Sequence, residues 1–167
     1  MNTFIFGYGS LINMPTNTEL LNPNSRNFYP VIVKNIKRDL NVCGLNKTYF
    51  GVEDSKYSEE KTNGILFKVS DEELKKLEIR EEYYFLGEIN LDRIIFYDIK
   101  TQFYDYNSRE NTKVLCFYSK PEHIDNSCKQ EISKKYIYKC LRGCLNIGID
   151  FTIDFIQMTH GLDKKMK

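Results

Sequence analysis

Tryptophan and alanine are both missing from this chain, and histidine is nearly so, with two among 167 residues. His123 and His160 stand far apart, too few and too separated for a histidine-built metal centre. The five cysteines, at positions 43, 116, 128, 140 and 144, contain no CxxC pair, so neither a zinc knuckle nor a thioredoxin-type motif is present. An odd number at irregular spacing predicts free thiols in a reducing compartment, and a cytoplasmic location is the expectation. Neither sign of charge is in excess. With 24 basic and 23 acidic side chains the net charge is +1, which supplies no global field for nucleic acid or an anionic membrane. Lys164, Lys165 and Lys167 read as a small solvated basic end. A long hydrophobic run is also lacking. Residues 3–12 form a short apolar stretch broken by glycine, without the basic start and cleavage site of a signal peptide.

What is abundant is aromatic: 12 tyrosines and 11 phenylalanines, alongside many lysines, asparagines and isoleucines. With alanine missing, this pattern reads first as the codon bias of an AT-rich genome, so asparagine-rich loops and lysine runs carry little weight. A hydrophobic share of 41% with 28% charged residues is that of a soluble globular protein, and the length fits one domain over 1–167.

Residues 3–8 read as a short buried strand running straight into Gly7-Tyr8-Gly9-Ser10. Residues 13–30, with Pro15, Pro23 and Pro30, read as loop. Extended segments are expected at 31–36 and 41–45, a polar stretch at 53–63, and a compact apolar strand at 64–69. Ser70-Asp71-Glu72-Glu73 is a capping box, serine followed three residues on by glutamate, and opens a helix to about Arg80. Strands are expected at 83–99 and 113–119, with a polar loop over 104–111 between them. The recurrence of Tyr136, Ile137, Cys140, Leu141, Cys144 and Leu145 predicts a long helix over 130–146. A last helix starts at Asp150 or Thr152 and stops near Gly161, with His160 at its end. Many strands and late helices give an α+β fold, a small barrel-like mixed β-sheet with flanking helices.

Three features could carry chemistry. The Gly7-Tyr8-Gly9-Ser10-Leu11 turn follows a strand, and its glycines let backbone N–H groups aim outward as an anion cradle, or simply make a tight turn. It is neither a Walker loop nor a dinucleotide fingerprint, because no Gly-Lys-Ser/Thr, third glycine or following helix is present. Glu81 falls with Leu74 and Leu77 on one helical stripe; a carboxylate held there would have a raised pKa suited to proton transfer. If the helix ends at Arg80 it faces water instead, and Glu82 or Glu78 could take the role. Tyr83, Tyr84, Tyr118 and Tyr136 cluster near these elements and are core or pocket residues. The small residues Cys140, Gly143 and Cys144 imply that something packs closely against the long helix. Ser10 lacks a GxSxG elbow, so a serine hydrolase is unsupported, and no basic stripe accompanies the aromatics for a nucleic-acid platform.

Taken in order, these pieces resemble the γ-glutamylcyclotransferase family, in its bacterial and plant-type branch. Phe6-Gly7-Tyr8-Gly9-Ser10-Leu11 is similar to the family's YGSL loop. Asn63-Gly64-Ile65-Leu66-Phe67 followed by Leu77-Glu78-Ile79-Arg80-Glu81 and Tyr84 resembles its strand, helix and L-D-x-R-E element, with Glu78 in place of aspartate. Thr48-Tyr49-Phe50-Gly51-Val52, residues 136–143 and Thr159-His160-Gly161 are similar to further family segments, so the resemblance covers nearly the whole chain. It implies an enzyme that cyclises a γ-glutamyl amino acid or amine to 5-oxoproline and frees the amine, by acyl transfer within one molecule. It implies Glu81 as general acid/base, and Tyr8, Gly9, Ser10, Leu11, Tyr84, Tyr118 and Tyr136 as substrate-binding residues. No metal or other cofactor is implied, and the expected partner is a small-molecule γ-glutamyl substrate, with no nucleic acid and no membrane. Glutathione-directed relatives share the same elements, so a glutathione-specific enzyme and a non-catalytic γ-glutamyl-binding module are the alternatives.

Overall fold

The computed structural model describes residues 1–16, 28–57, 59–98, 109–128 and 130–162. Residues 17–27 of the loop expected over 13–30, residues 99–108 of the strand and polar loop, and the basic tail lie outside the described residues. The architecture is α+β, and the described residues form a mixed six-stranded sheet, a three-stranded sheet and three α-helices.

Strand β1 (Asn2–Gly7) is central to the larger sheet, and its Phe4, Ile5 and Phe6 are all buried, as a strand covered on both faces requires. It pairs antiparallel with β5 (Lys61–Val69) and parallel with β8 (Thr112–Ser119). Outside these lie β2 (Phe28–Lys34) against β5, and β6 (Tyr84–Ile89) against β8, giving the order β6-β8-β1-β5-β2-β7. The smaller sheet joins β3 (Ile36–Cys43), β4 (Thr48–Asp54) and β9 (Thr159–His160) in the order β4-β3-β9.

Several boundaries differ from expectation for identifiable reasons. Phe28, Tyr29 and Pro30 belong to β2, not to loop, and β2 and β3 are separated by Asn35 alone, whose φ of 59° asparagine tolerates. The polar stretch 53–63 contains the end of β4 and the start of β5. The single strand expected over 83–99 is two. A 3₁₀ turn at Leu91–Arg93, capped by Asn90 Oδ1 accepting from the Asp92 N–H at 3.0 Å, sends β7 (Ile94–Phe96) to the opposite edge of the sheet from β6.

Helix α1 (Asp71–Arg80) carries the expected capping box, with Ser70 Oγ accepting from the Glu73 N–H at 3.2 Å and Glu73 Oε2 accepting from the Ser70 N–H at 2.9 Å. Its C-cap is Glu81. Helix α2 (Lys134–Ile147) starts later than expected, at the Ser133 cap, and α3 (Ile149–Gln157) ends earlier. His160 is therefore in β9 rather than in a helix, where its Nε2 lies 2.7 Å from Glu60 Oε2. None of the described helices is long and apolar enough to cross a membrane.

The small stripe of α2 meets the 3₁₀ turn Ser10–Thr16 that follows the glycine loop. A Cβ on Gly143 would come within 2.8 Å of the Asn13 nitrogen and 2.9 Å of the Ile12 carbonyl carbon, so only glycine permits this approach. The expectation of five free thiols is corrected. Cys43 at the end of β3 and Cys128 form a disulfide, with Cα atoms 6.4 Å apart, because the Val42–Ile124 bridge brings two sequence-distant segments together. Cys116, Cys140 and Cys144 are free and buried.

At the centre lies Arg38 of β3, fully buried and stacked 3.8 Å over the Phe155 ring. Its Nη1 donates to Tyr8 O (3.1 Å) and Asn63 O (2.8 Å), Nη2 to Asn63 Oδ1 (3.0 Å) and Phe155 O (2.8 Å), and Nε to Thr159 Oγ1 (2.7 Å). Burial pulls its pKa down to about 10, still far above neutrality, so the side chain is charged.

Arg38→Met keeps the bulk and removes five hydrogen bonds to buried acceptors; it is expected to destabilise the fold by about 3 kcal/mol or more, read as a lower urea midpoint. Gly143→Val should cost about 1–3 kcal/mol by forcing α2 off the turn; a midpoint equal to the parent's would mean that the two elements are not in contact.

Candidate active site

The site grows from the end of β1. Tyr8 is fixed at both ends, its hydroxyl donating to Phe117 O and its carbonyl accepting from Arg38. The chain then turns at Gly9 into the 3₁₀ segment, whose first bond is Ile12 N–H to Gly9 O at 3.0 Å. Ser10 and Leu11 precede that bond, so their N–H groups have no acceptor within the turn. Close approach explains Gly9: a Cβ there would lie 3.2 Å from the Tyr136 hydroxyl and 3.6 Å from Phe50 Cβ.

Helix α1 delivers Arg80 and Glu81 to this turn. Leu77 is fully buried and Leu74 packs on the core, so the stripe ends with Glu81 turned inward, its side chain 15% exposed. Arg80 bridges the two parts, with Nη2 donating to Ser10 Oγ at 3.1 Å and Nε 3.6 Å from Glu81 Oε1. Burial pushes the Glu81 carboxyl above its ordinary value of 4.5; Arg80 and then Lys139 oppose that rise without cancelling it. Glu82 is exposed, as is Glu78.

Two tyrosines are oriented by one backbone residue. Tyr84 donates to Phe50 O at 2.7 Å, and the Phe50 N–H donates to the Tyr136 hydroxyl at 3.3 Å. Burial pushes the phenols of Tyr8, Tyr84 and Tyr136 well above their ordinary range, so all three stay protonated at neutral pH.

The structure therefore brings Tyr8, Gly9, Ser10, Leu11, Glu81, Tyr84 and Tyr136 to one narrow cleft of ≈ 30 Å³, together with Phe6, Phe50 and Phe117. A larger cavity of ≈ 350 Å³ opens beside it and shares Ser10, Glu81, Tyr84 and Tyr136, adding Tyr49, Arg80, Glu82, Tyr83 and Lys139. Glu81 thus faces both spaces, whereas Glu82 lines the outer one alone. Tyr118 is not brought to the cleft. Successive residues of β8 point to opposite faces, so Phe117 lines the cleft while Tyr118 stacks on Phe85 (5.6 Å, 20°) and reaches Asp54 Oδ1 at 3.3 Å in a separate cavity of ≈ 360 Å³. Cys116, Phe117 and Tyr118 are all buried, so nothing local marked Phe117, and nothing local marked Lys139 or Tyr49 as cavity residues. Among the described residues no three His, Cys, Asp or Glu side chains gather where they could share a metal ion.

A cradle of backbone N–H groups beside a largely buried carboxyl of raised pKa can hold a carboxylate or oxyanion while a proton is moved next to it. No protein-family model matches the chain, and no curated protein matches it either. Solved structures do. A γ-glutamyl cyclotransferase superposes with a TM-score of 0.61 at 15% identity, over 93% of this chain and 87% of that one. The yeast γ-glutamyl cyclotransferase specific to glutathione gives 0.61 at 12% identity, over 95% and 97%. YkqA from Bacillus subtilis gives 0.60 at 13% identity over 93% of this chain, which spans 53% of the length of that protein. At these identities the likeness is one of architecture, and the chain has the γ-glutamylcyclotransferase-like fold.

Proposed function

We propose that the protein is a γ-glutamylcyclotransferase, converting a γ-glutamyl amino acid or amine to 5-oxoproline and the free amine, with Glu81 as the general acid and base. The observation that carries this reading is a carboxyl with a raised pKa facing the same cleft as the Gly9–Ser10–Leu11 backbone, and open on its other side to a cavity.

The reaction needs one proton carrier. Ionised Glu81 takes a proton from the substrate's α-ammonium, and the freed amine attacks the γ-carbonyl carbon of the same molecule, forming the ring C–N bond. The carbonyl oxygen becomes an oxyanion, within reach of backbone N–H groups at Ser10 and Leu11. As it collapses, the original amide C–N bond breaks and the departing nitrogen receives the proton from Glu81; the ring nitrogen then gives up its second proton, by way of Glu81, to the freed amine, which leaves as an ammonium while Glu81 returns to its ionised state. A raised pKa suits both halves of that cycle. Because nucleophile and electrophile share one molecule, holding the glutamyl group folded supplies much of the acceleration. The protonated phenols of Tyr8, Tyr84 and Tyr136 wall the cleft without adding charge.

Purified protein incubated with γ-glutamyl-alanine, γ-glutamyl amines and glutathione is expected to release 5-oxoproline from at least one of them; release from none overturns the activity and leaves at most a binding module. Glu81→Gln should lower turnover by roughly 10²–10⁴-fold with ligand binding kept, and Glu82→Gln should lose far less. If Glu82→Gln shows the larger loss, the acid/base assignment moves.

The raised pKa also sets a pH dependence. The acidic limb of the rate profile is expected above the ordinary value of 4.5, because Glu81 must be ionised to accept the ammonium proton. Stability follows the same linkage. Between the ordinary pKa and the raised one the folded state holds the extra proton, so the Glu81 contribution to stability falls as pH rises through that window. Glu81→Gln is therefore expected to melt higher than the parent at neutral pH, with the difference vanishing below about pH 4; a lower melting temperature at neutral pH would mean that the Arg80 pairing outweighs burial.

A further inference from the structure

The outer cavity begins where Glu81 ends. Ser10, Glu81, Tyr84 and Tyr136 line both the narrow cleft and the ≈ 350 Å³ cavity, so for a γ-glutamyl group seated at these residues the outer cavity is the room for what its amide nitrogen carries. One wall of that space is the stacked pair Tyr49 and Tyr83, with ring centroids 6.3 Å apart and planes at 20°. Its cations differ in their commitments. Arg80 is engaged by Ser10 Oγ and Glu81. Lys139 is half-buried yet makes no hydrogen bond or ion pair among the described residues. It stands three residues after Tyr136 on α2, hence on the same helix face, and is near enough to Glu81 to draw that carboxyl's pKa down. Glu82, on the rim, does not pair with it; its main-chain carbonyl instead accepts from Lys120 Nζ at 2.7 Å.

The carboxylate nearest in charge to this half-buried ammonium, Glu81, already faces Arg80 at 3.6 Å, so Lys139 can take a further anion from a ligand. An amino-acid leaving group carries its carboxylate one carbon away from the nitrogen that Glu81 would protonate, which is the region that Lys139 borders. An amine leaving group has nothing to offer there. We infer that Lys139 is a specificity-determining residue that reads the carboxylate of the leaving group, favouring γ-glutamyl amino acids and peptides over γ-glutamyl amines; this rests on the γ-glutamyl reading of the site.

The test compares γ-glutamyl-alanine with γ-glutamyl-ethylamine, which differ by that carboxylate, by calorimetric binding to Glu81→Gln protein so that no turnover intervenes. With Lys139 present, alanine is expected to bind more tightly by about fivefold or more. Adding Lys139→Met should bring the ratio close to one, Lys139→Glu should invert it, and Lys139→Arg should preserve it. Effects transmitted through the neighbourhood of position 81 act on both ligands and cancel in the ratio. A ratio that none of these substitutions moves overturns the inference. Discrimination in binding without 5-oxoproline from the parent protein would overturn the cyclisation reading and leave Lys139 standing; turnover with an unmoved ratio would do the reverse. Binding of neither ligand overturns both.

Discussion

The structure depends on an arginine placed where a charge is hardest to keep. Among the described residues Arg38 has no carboxylate partner; its positive charge is spread over neutral acceptors from four parts of the chain and over the face of Phe155. Desolvating a guanidinium is unfavourable, and only complete hydrogen bonding makes it tolerable. Completeness is also what turns the residue into an organiser. Tyr8 O, Asn63, Phe155 O and Thr159 must all arrive together, which sets β5, the end of α3, β9 and the start of the glycine turn in one arrangement. The buried charge lies behind a turn whose free N–H groups already favour an anion, so both act in the same electrostatic direction.

From that fixed point the site is assembled in two further strokes. The Phe50 main chain uses its carbonyl for Tyr84 and its N–H for Tyr136, so one residue of β4 aligns aromatic walls that come from β6 and α2. Arg80 then spans Ser10 and Glu81, coupling the end of α1 to the turn. The outcome is a carboxyl buried enough to be reluctant to ionise and still open on one side. Burial raises the pKa of such a group, and that is the property on which the proposed acid–base role rests.

Features written in neighbouring residues were legible in the sequence. The capping box of α1 is local chemistry, so the helix could be read; the inward turn of Glu81 could not be read from helical period, because the helix ends at Arg80 and Glu81 is its C-cap. The small residues of α2 announced a close neighbour, although not that it would be the turn at Ile12 and Asn13. Distant contacts were not legible. The partner of Cys43 lies 85 residues away, and the two-residue strand β9 has no pattern to display. Arg38 left no trace because its acceptors are mostly main-chain carbonyls, which every sequence has. Tyr118 shows a different limit: on a strand buried throughout, hydrophobicity does not say which face a ring takes, and neighbouring Phe117 takes the one toward the cleft.

The place of β1 between β5 and β8 also governs when the site comes into being. Its contact with β8 joins parts of the chain 109 residues apart at Tyr8 and Phe117, while α1 and the β3–β4 pair are closed by short loops. Contacts of such span carry a large loop-closure entropy and are slow to form. During synthesis the first strand must wait, apolar and with one edge unpaired, until β8 has emerged, and the turn at Ser10 remains unsupported until α2 follows. The cleft thus draws on both ends of the chain and is complete only once β8 and α2 have joined β1 and its turn.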